Sequence, residues 1–261
     1  MNAWSQSGAG GGGLLAAALA RAEAWLLDPP APRASMPPPA VPPRPVVAVR
    51  GLARGCGAST VARALAAVLA RGDPGGAAVL VGGPAGTGPR IAGPAALRVA
   101  RALAVAGCDH VRASGRVCLV GDGEPLTAVA SASACPVVVD VAHASPAAEG
   151  LGQADVAVLV ASPAVEAALV VAVEASLVTA GHRVEVVLNR VDPLEVDVPR
   201  GPVPEAGLPG SVDGWPSAGA WLEIGESRLA AQLALACREA RGPFARPIAE
   251  LAERCRAAAR G

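Results

Sequence analysis

The stretch Val46-Val-Ala-Val-Arg50-Gly51-Leu-Ala-Arg54-Gly55-Cys56-Gly57-Ala58-Ser59-Thr60-Val-Ala-Arg63-Ala-Leu65 decides how this chain is read. It opens on valines, which suit a buried strand. Glycines follow, then a hydroxyl pair, then an alanine-rich run of helical composition. Glycine permits positive φ, so the backbone N–H groups of such a turn can curl around an anion. A helix opening there points the positive end of its dipole at the same spot. The stretch reads as strand, anion-binding turn and helix.

The same alternation continues outward. Strands are expected at Val46–Val49, Ala78–Val81, Val117–Val120, Val137–Val141, Asp155–Ala161 and Val184–Asn189. Helices are expected at Ser59–Arg71, Ala95–Ala106, Leu126–Ala132, Ala164–Ala180, Glu226–Ala240 and Arg246–Ala259. Runs such as Val137-Val-Val139 and Val156-Ala-Val-Leu-Val160 are apolar at every position, which suits strands covered on both faces. Strand–helix alternation then implies an α/β fold: a doubly wound, mostly parallel sheet with right-handed crossovers and helices on both faces. This domain is expected over residues 46–261. Before it come a Gly-rich start with a short helix, 1–27, and a proline-rich spacer, 28–45. So much proline excludes a helix or a sheet interior in the spacer.

Composition narrows the chemistry. All 22 basic residues of this 261-residue chain are arginine, and there is no tyrosine. Schiff-base chemistry, a lysine general base and an ordinary P-loop lysine are thereby excluded. The 22 acids balance the bases, which argues against a broadly basic surface for nucleic acid. The six cysteines, Cys56, Cys108, Cys118, Cys135, Cys237 and Cys255, lack metal-ligand spacing and read as buried small hydrophobes in a reducing compartment. Cys56 precedes a helix start, where a thiol pKa would be lowered, so redox sensing is the alternative to an inert residue there. The most apolar long run, Ala161–Ala180, carries Glu166 and Glu174 and fits a buried helix rather than a membrane span. A cytoplasmic protein without stable membrane insertion is the expectation.

The quoted loop resembles that of the MinD/ParA-type ATPases, a branch of the P-loop proteins with the pattern Lys-Gly-Gly-x-Gly-Lys-Thr-Thr. On that pattern the chain reads Ala53-Arg54-Gly55-Cys56-Gly57-Ala58-Ser59-Thr60. Pro136-Val-Val-Val-Asp140 is similar to the family's strand that ends in an Mg²⁺-linked acid. Gln153–Pro163 is similar to its next strand and helix entry. Val186-Val-Leu-Asn189-Arg190 is similar to the strand whose Asn contacts adenine. Pro209-Gly-Ser211 and Gly242–Ala252 stand for a later loop and the closing helix, so the ordered set covers most of Val46–Ala259.

What the resemblance implies is ATP with Mg²⁺. Arg54, Gly55, Cys56, Gly57, Ala58, Ser59, Thr60, Asn189 and Arg190 would hold the nucleotide, and Ser59 and Asp140 the metal. It also implies a homodimer, or a heterodimer with an active paralogue, and a role in cell division, partitioning or pilus placement. Two departures stand out. Both lysine positions are alanine, Ala53 and Ala58. The second strand ends Val79-Leu-Val81-Gly82-Gly83-Pro84, without the family's Asp-x-Asp. Phosphoryl transfer needs positive charge at the transferring group and an oriented nucleophile. The expectation is therefore a degenerate nucleotide-binding regulatory protein with weak or no hydrolysis. Two alternatives remain: a non-catalytic scaffold or dimerisation module that binds no nucleotide, and an NADP-binding reductase, since Gly55-Cys-Gly57 partly matches a dinucleotide turn. For Asp140 the plain alternative is a loop or helix cap, and for Asn189 a turn residue.

Overall fold

β-Branched and small apolar runs become the strands, and they meet in a single sheet. Val46–Gly51 (β1), Ala78–Val81 (β2), Arg112–Ser114 (β3), Val117–Val120 (β4), Val137–Val141 (β5), Val156–Ala161 (β6), Arg183–Val191 (β7) and Leu222–Gly225 (β8) lie in the order β3-β4-β2-β5-β1-β6-β7-β8. Only the β3–β4 pair is antiparallel. The structure is a computed structural model describing residues 44–82, 91–121, 124–141, 151–191 and 221–260, with the backbone alone at 190 and 191. The expected Gly-rich start, the short helix after it and the spacer up to residue 43 lie outside these residues, as does Pro209–Ser211.

Helices cover both faces. They are Ala58–Gly72 (α1), Pro94–Val105 (α2), Leu126–Ser133 (α3), Ala167–Thr179 (α4), Arg228–Leu235 (α5) and Ala245–Ala258 (α6). Val47, Val49, Leu80, Val138 and Val158 pack with Leu65 and Leu69 of α1, Ala230 of α5 and Leu251 of α6. On the other face, Val79 and Cys118 pack with Leu103 of α2 and Val129 of α3, and Leu159 and Val186 with Val170 of α4. Neighbouring residues of one strand thus go to opposite faces, as the pleat requires. α1 packs against the sheet and against α5 and α6, and nine of its residues are buried.

β1 sits between β5 and β6, and the chain builds outward from it in both directions. That makes the carboxyl end of β1 the topological switch point, where open α/β sheets take their ligands.

The helix expected over 226–240 is shorter than its composition suggests, ending at Leu235. Cys237 adopts φ 50 and turns the chain out of the helix. Its N–H donates to the Ala234 carbonyl at 2.9 Å, and the Arg238 N–H to the Leu233 carbonyl at 2.8 Å. This is a Schellman cap. The same cap ends α2 at Gly107 (φ 88) and α4 at Gly181 (φ 89), where glycine meets the backbone demand without strain. β3 and β8 were not expected, because runs of three and four residues carry too little periodicity to show.

Candidate functional site

The loop after β1 is fastened from three sides. At its start the Leu52 N–H donates to the Val160 carbonyl of β6 at 2.9 Å. In its middle Cys56 folds inward, 2% exposed. A Cβ on Gly51 would stand 2.7 Å from the Cys56 Sγ, so a glycine is needed beneath the thiol. At its end the Gly57 carbonyl accepts from the Thr60 and Val61 N–H groups at 2.9 and 3.0 Å, which starts α1.

Gly55 and Gly57 have φ 76 and 88. With these two left-handed residues, the N–H groups of Gly55, Gly57, Ala58 and Ser59 donate to no other described group. Such a set of unspent donors at the N-terminus of a 15-residue helix is an anion nest.

Asn189 controls the orientation of the nest. Its Nδ2 donates to the Cys56 carbonyl at 2.8 Å, in a buried contact between β7 and the loop. In a trans peptide the C=O and N–H point opposite ways. Holding the Cys56 carbonyl against Asn189 therefore directs the Gly57 N–H away from the core. A Cβ on Gly57 would lie 2.1 Å from the same Nδ2, so the contact also requires glycine at 57.

Asp140 lies in β5 opposite Val49 of β1 and is 8% exposed. Loop, Asp140 and Asn189 thus share the carboxyl edge of the sheet. Ser59 and Thr60 are half-buried in the first turn of α1, and Arg54 is exposed. Arg190 continues β7 next to Asn189. Asn189 is 4% exposed, and its amide is held against the loop. No sequence signal marked that contact, since its partner Cys56 is 133 residues away. Arg63 was likewise missed: it is 1% exposed on α1, and its Nη1 donates to the Leu235 carbonyl at the end of α5.

Within the loop, Gly51 to Gly57, Arg54 is the one side-chain cation, and it is exposed. No acid occupies the first turn of α1. Among the described residues no group of three or more His, Cys, Asp or Glu could hold a metal ion. An Mg²⁺ bound with a nucleotide phosphate needs less, one hydroxyl or carboxylate with waters and phosphate oxygens, and Ser59 and Asp140 fit that donor set. All six cysteines are buried and unpaired. Burial pushes the thiols of Cys118 and Cys255 up to about 12 and that of Cys135 to about 11, so they remain protonated and inert. No helix among the described residues is long and apolar enough to cross a membrane.

Neither a family model nor a curated relative matches the chain. Among solved structures it is similar to the McdA–ATP complex from Cyanothece, with 15% identity, 83% of this chain and 96% of that chain covered, and a TM-score of 0.49. It is also similar to a ParA family ATPase from Chlorobium tepidum, with 15% identity, coverage of 80% and 98%, and a TM-score of 0.48. A third is the MinC:MinD cell division protein complex from Aquifex aeolicus, with 16% identity, coverage of 80% and 94%, and a TM-score of 0.47. Identities this low concern fold and not activity. The fold of this chain stands on its strand order and loop geometry.

Proposed function

We propose that the chain is a degenerate MinD/ParA-like nucleotide-binding regulatory protein with little or no ATP hydrolysis. One observation carries the reading: four backbone N–H groups around Gly55 and Gly57 are left unspent at a helix N-terminus, and the buried Asn189 amide holds the loop in that shape. In this reading the N–H groups of Gly55, Gly57, Ala58 and Ser59 bind a phosphate chain. The Ser59 hydroxyl and the Asp140 carboxylate hold Mg²⁺, which neutralises phosphate charge when bound. Arg54, on the exposed rim, supplies the one side-chain cation of the loop.

Catalysis is a different matter. The positions that would carry ammonium groups are Ala53 and Ala58. Loss of one preorganised donor at a developing charge commonly lowers a rate about 10²–10³-fold. Here two cations are missing, so binding outlives turnover. The setting implied by the resemblance is division, partitioning or pilus placement, as a homodimer or as a heterodimer in which an active paralogue supplies the missing charge.

Calorimetry of the full chain with ATP and Mg²⁺ tests this. Weak saturable heat is expected, with phosphate release at background. No heat at millimolar nucleotide removes the reading and leaves the non-catalytic scaffold, which the two alanines favour. Heat with NADP but none with ATP reassigns the loop to dinucleotide binding.

A further inference from the structure

A cavity of about 340 Å³ opens at the amino end of the strands, away from the loop after β1. It lies between the last turns of α1, the β3–β4 turn and the segment that follows α5. We propose that this cavity binds a small polyanion carrying phosphate, either inorganic or attached to a nucleoside.

Its charge is the first ground. Arg116, Arg238 and Arg241 line it, and all three are exposed. None of their side chains bonds to another described residue. The acid in the lining, Glu239, is already taken by Arg71 at 2.8 Å. The cavity therefore keeps a surplus of guanidinium groups. A guanidinium offers a planar fork that matches phosphate oxygens two at a time. The volume falls at the lower end of small-ligand pockets, about 300–1,000 Å³, which suits a phosphate chain or a mononucleotide.

Backbone geometry is the second ground. Gly115 and Cys237 meet at the floor, both left-handed, at φ 56 and 50. A Cβ on Gly115 would lie 3.2 Å from the Cys237 carbonyl oxygen. This close approach brings the residues that follow, Arg116 and Arg238, to the same cavity from two separate segments.

The cavity stands apart from the loop after β1, so it does not depend on the nucleotide reading. The test separates the two. Inorganic pyrophosphate is titrated by calorimetry into the full chain carrying Ser59→Glu, which sets a carboxylate in the nest at a position helices tolerate. Saturable binding is expected to persist. Arg116→Gln, Arg238→Gln and Arg241→Gln should each weaken it about tenfold or more, with partial recovery on Arg→Lys at the same position. Circular dichroism confirms that the variants remain folded. A parallel titration with adenosine monophosphate names the source: tighter binding than pyrophosphate assigns a nucleotide, weaker binding a free phosphate chain. Three results overturn the proposal. One is the absence of binding to the Ser59→Glu chain. Another is binding that survives all three glutamines. The last is an equal loss on Arg101→Gln, an exposed position across the sheet on α2, which would reduce the effect to general surface charge.

Discussion

The two ends of this sheet divide between them what a phosphate site usually combines. At the carboxyl end the loop after β1 has shape: glycines at φ 76 and 88, unspent N–H groups and a helix start. Its side-chain charge is limited to Arg54, with alanine at 53 and 58. At the amino end the cavity by Gly115 has charge in three arginines that bond to no other described side chain, while its lining is bent by a cysteine where glycine would be easier. Backbone shape survives loss of side chains because it is set by φ and by distant braces. Charge is carried by single side chains and disappears with them. The contrast yields experiments at both ends.

The largest effect is expected where shape has no slack. Gly57→Ala combines a left-handed backbone with a Cβ 2.1 Å from the Asn189 Nδ2. Left-handed φ alone costs about 1–2 kcal/mol in a residue with a Cβ, and displacement of the buried amide adds a lost hydrogen bond. A total destabilisation of roughly 3 kcal/mol is expected in urea denaturation. Gly55→Ala is the control. It has φ 76 and nothing within 4 Å of its Cβ, so about 1 kcal/mol is expected. Equal losses at the two glycines would show that the Asn189 contact does not hold the loop.

These positions also mark how much was legible beforehand. β2, β4 and β6 could be read because strands buried on both faces are apolar at every residue, and β1 and β5 because each opens on a run of valine or alanine. The loop could be read because glycine and hydroxyl residues between a valine run and an alanine run admit few other conformations. The reach of Asn189 to Cys56 could not, because a contact between residues 133 apart leaves no local trace. The early end of α5 was hidden for a related reason: Cys237 is a poor left-handed residue, and no composition rule stops a helix there. The arginine cavity was invisible because Arg116 and Arg238 meet only through the fold, within a chain of zero formal charge.

Asn189→Leu comes next in size. It keeps bulk and removes the donor, leaving the Cys56 carbonyl buried without its partner. An unsatisfied buried group costs about 1–3 kcal/mol, read as a lower urea midpoint. Because the peptide that aims the Gly57 N–H is then free to turn, nucleotide binding should weaken as well. Stability lost with binding unchanged would leave Asn189 a packing residue only.

Ala58→Lys adds a cation to the existing frame. If the nest keeps its shape for a phosphate, a cation at the first residue of α1 should raise ATP affinity about tenfold, roughly 1.4 kcal/mol. The gain should shrink with added salt, since the rim is open to solvent. A lysine that changes nothing would mean that the loop points its donors at no ligand.

The smallest change is expected at the other end, and there the order of variants matters more than the size. Cys237 is 3% exposed, and its thiol packs in the core shared with α1 and α6. Cys237→Ala removes the sulfur and keeps the backbone strain. Cys237→Gly removes slightly more side chain and relieves the strain, worth about 1 kcal/mol. The glycine variant should therefore be at least as stable as the alanine variant, with both within about 1–2 kcal/mol of the parent chain. In a helix interior alanine beats glycine by about 1 kcal/mol, so the reversal is diagnostic of a left-handed cap. If alanine proves the more stable, the chain does not turn left-handed at 237, and the approach that brings Arg238 toward Arg116 loses its footing.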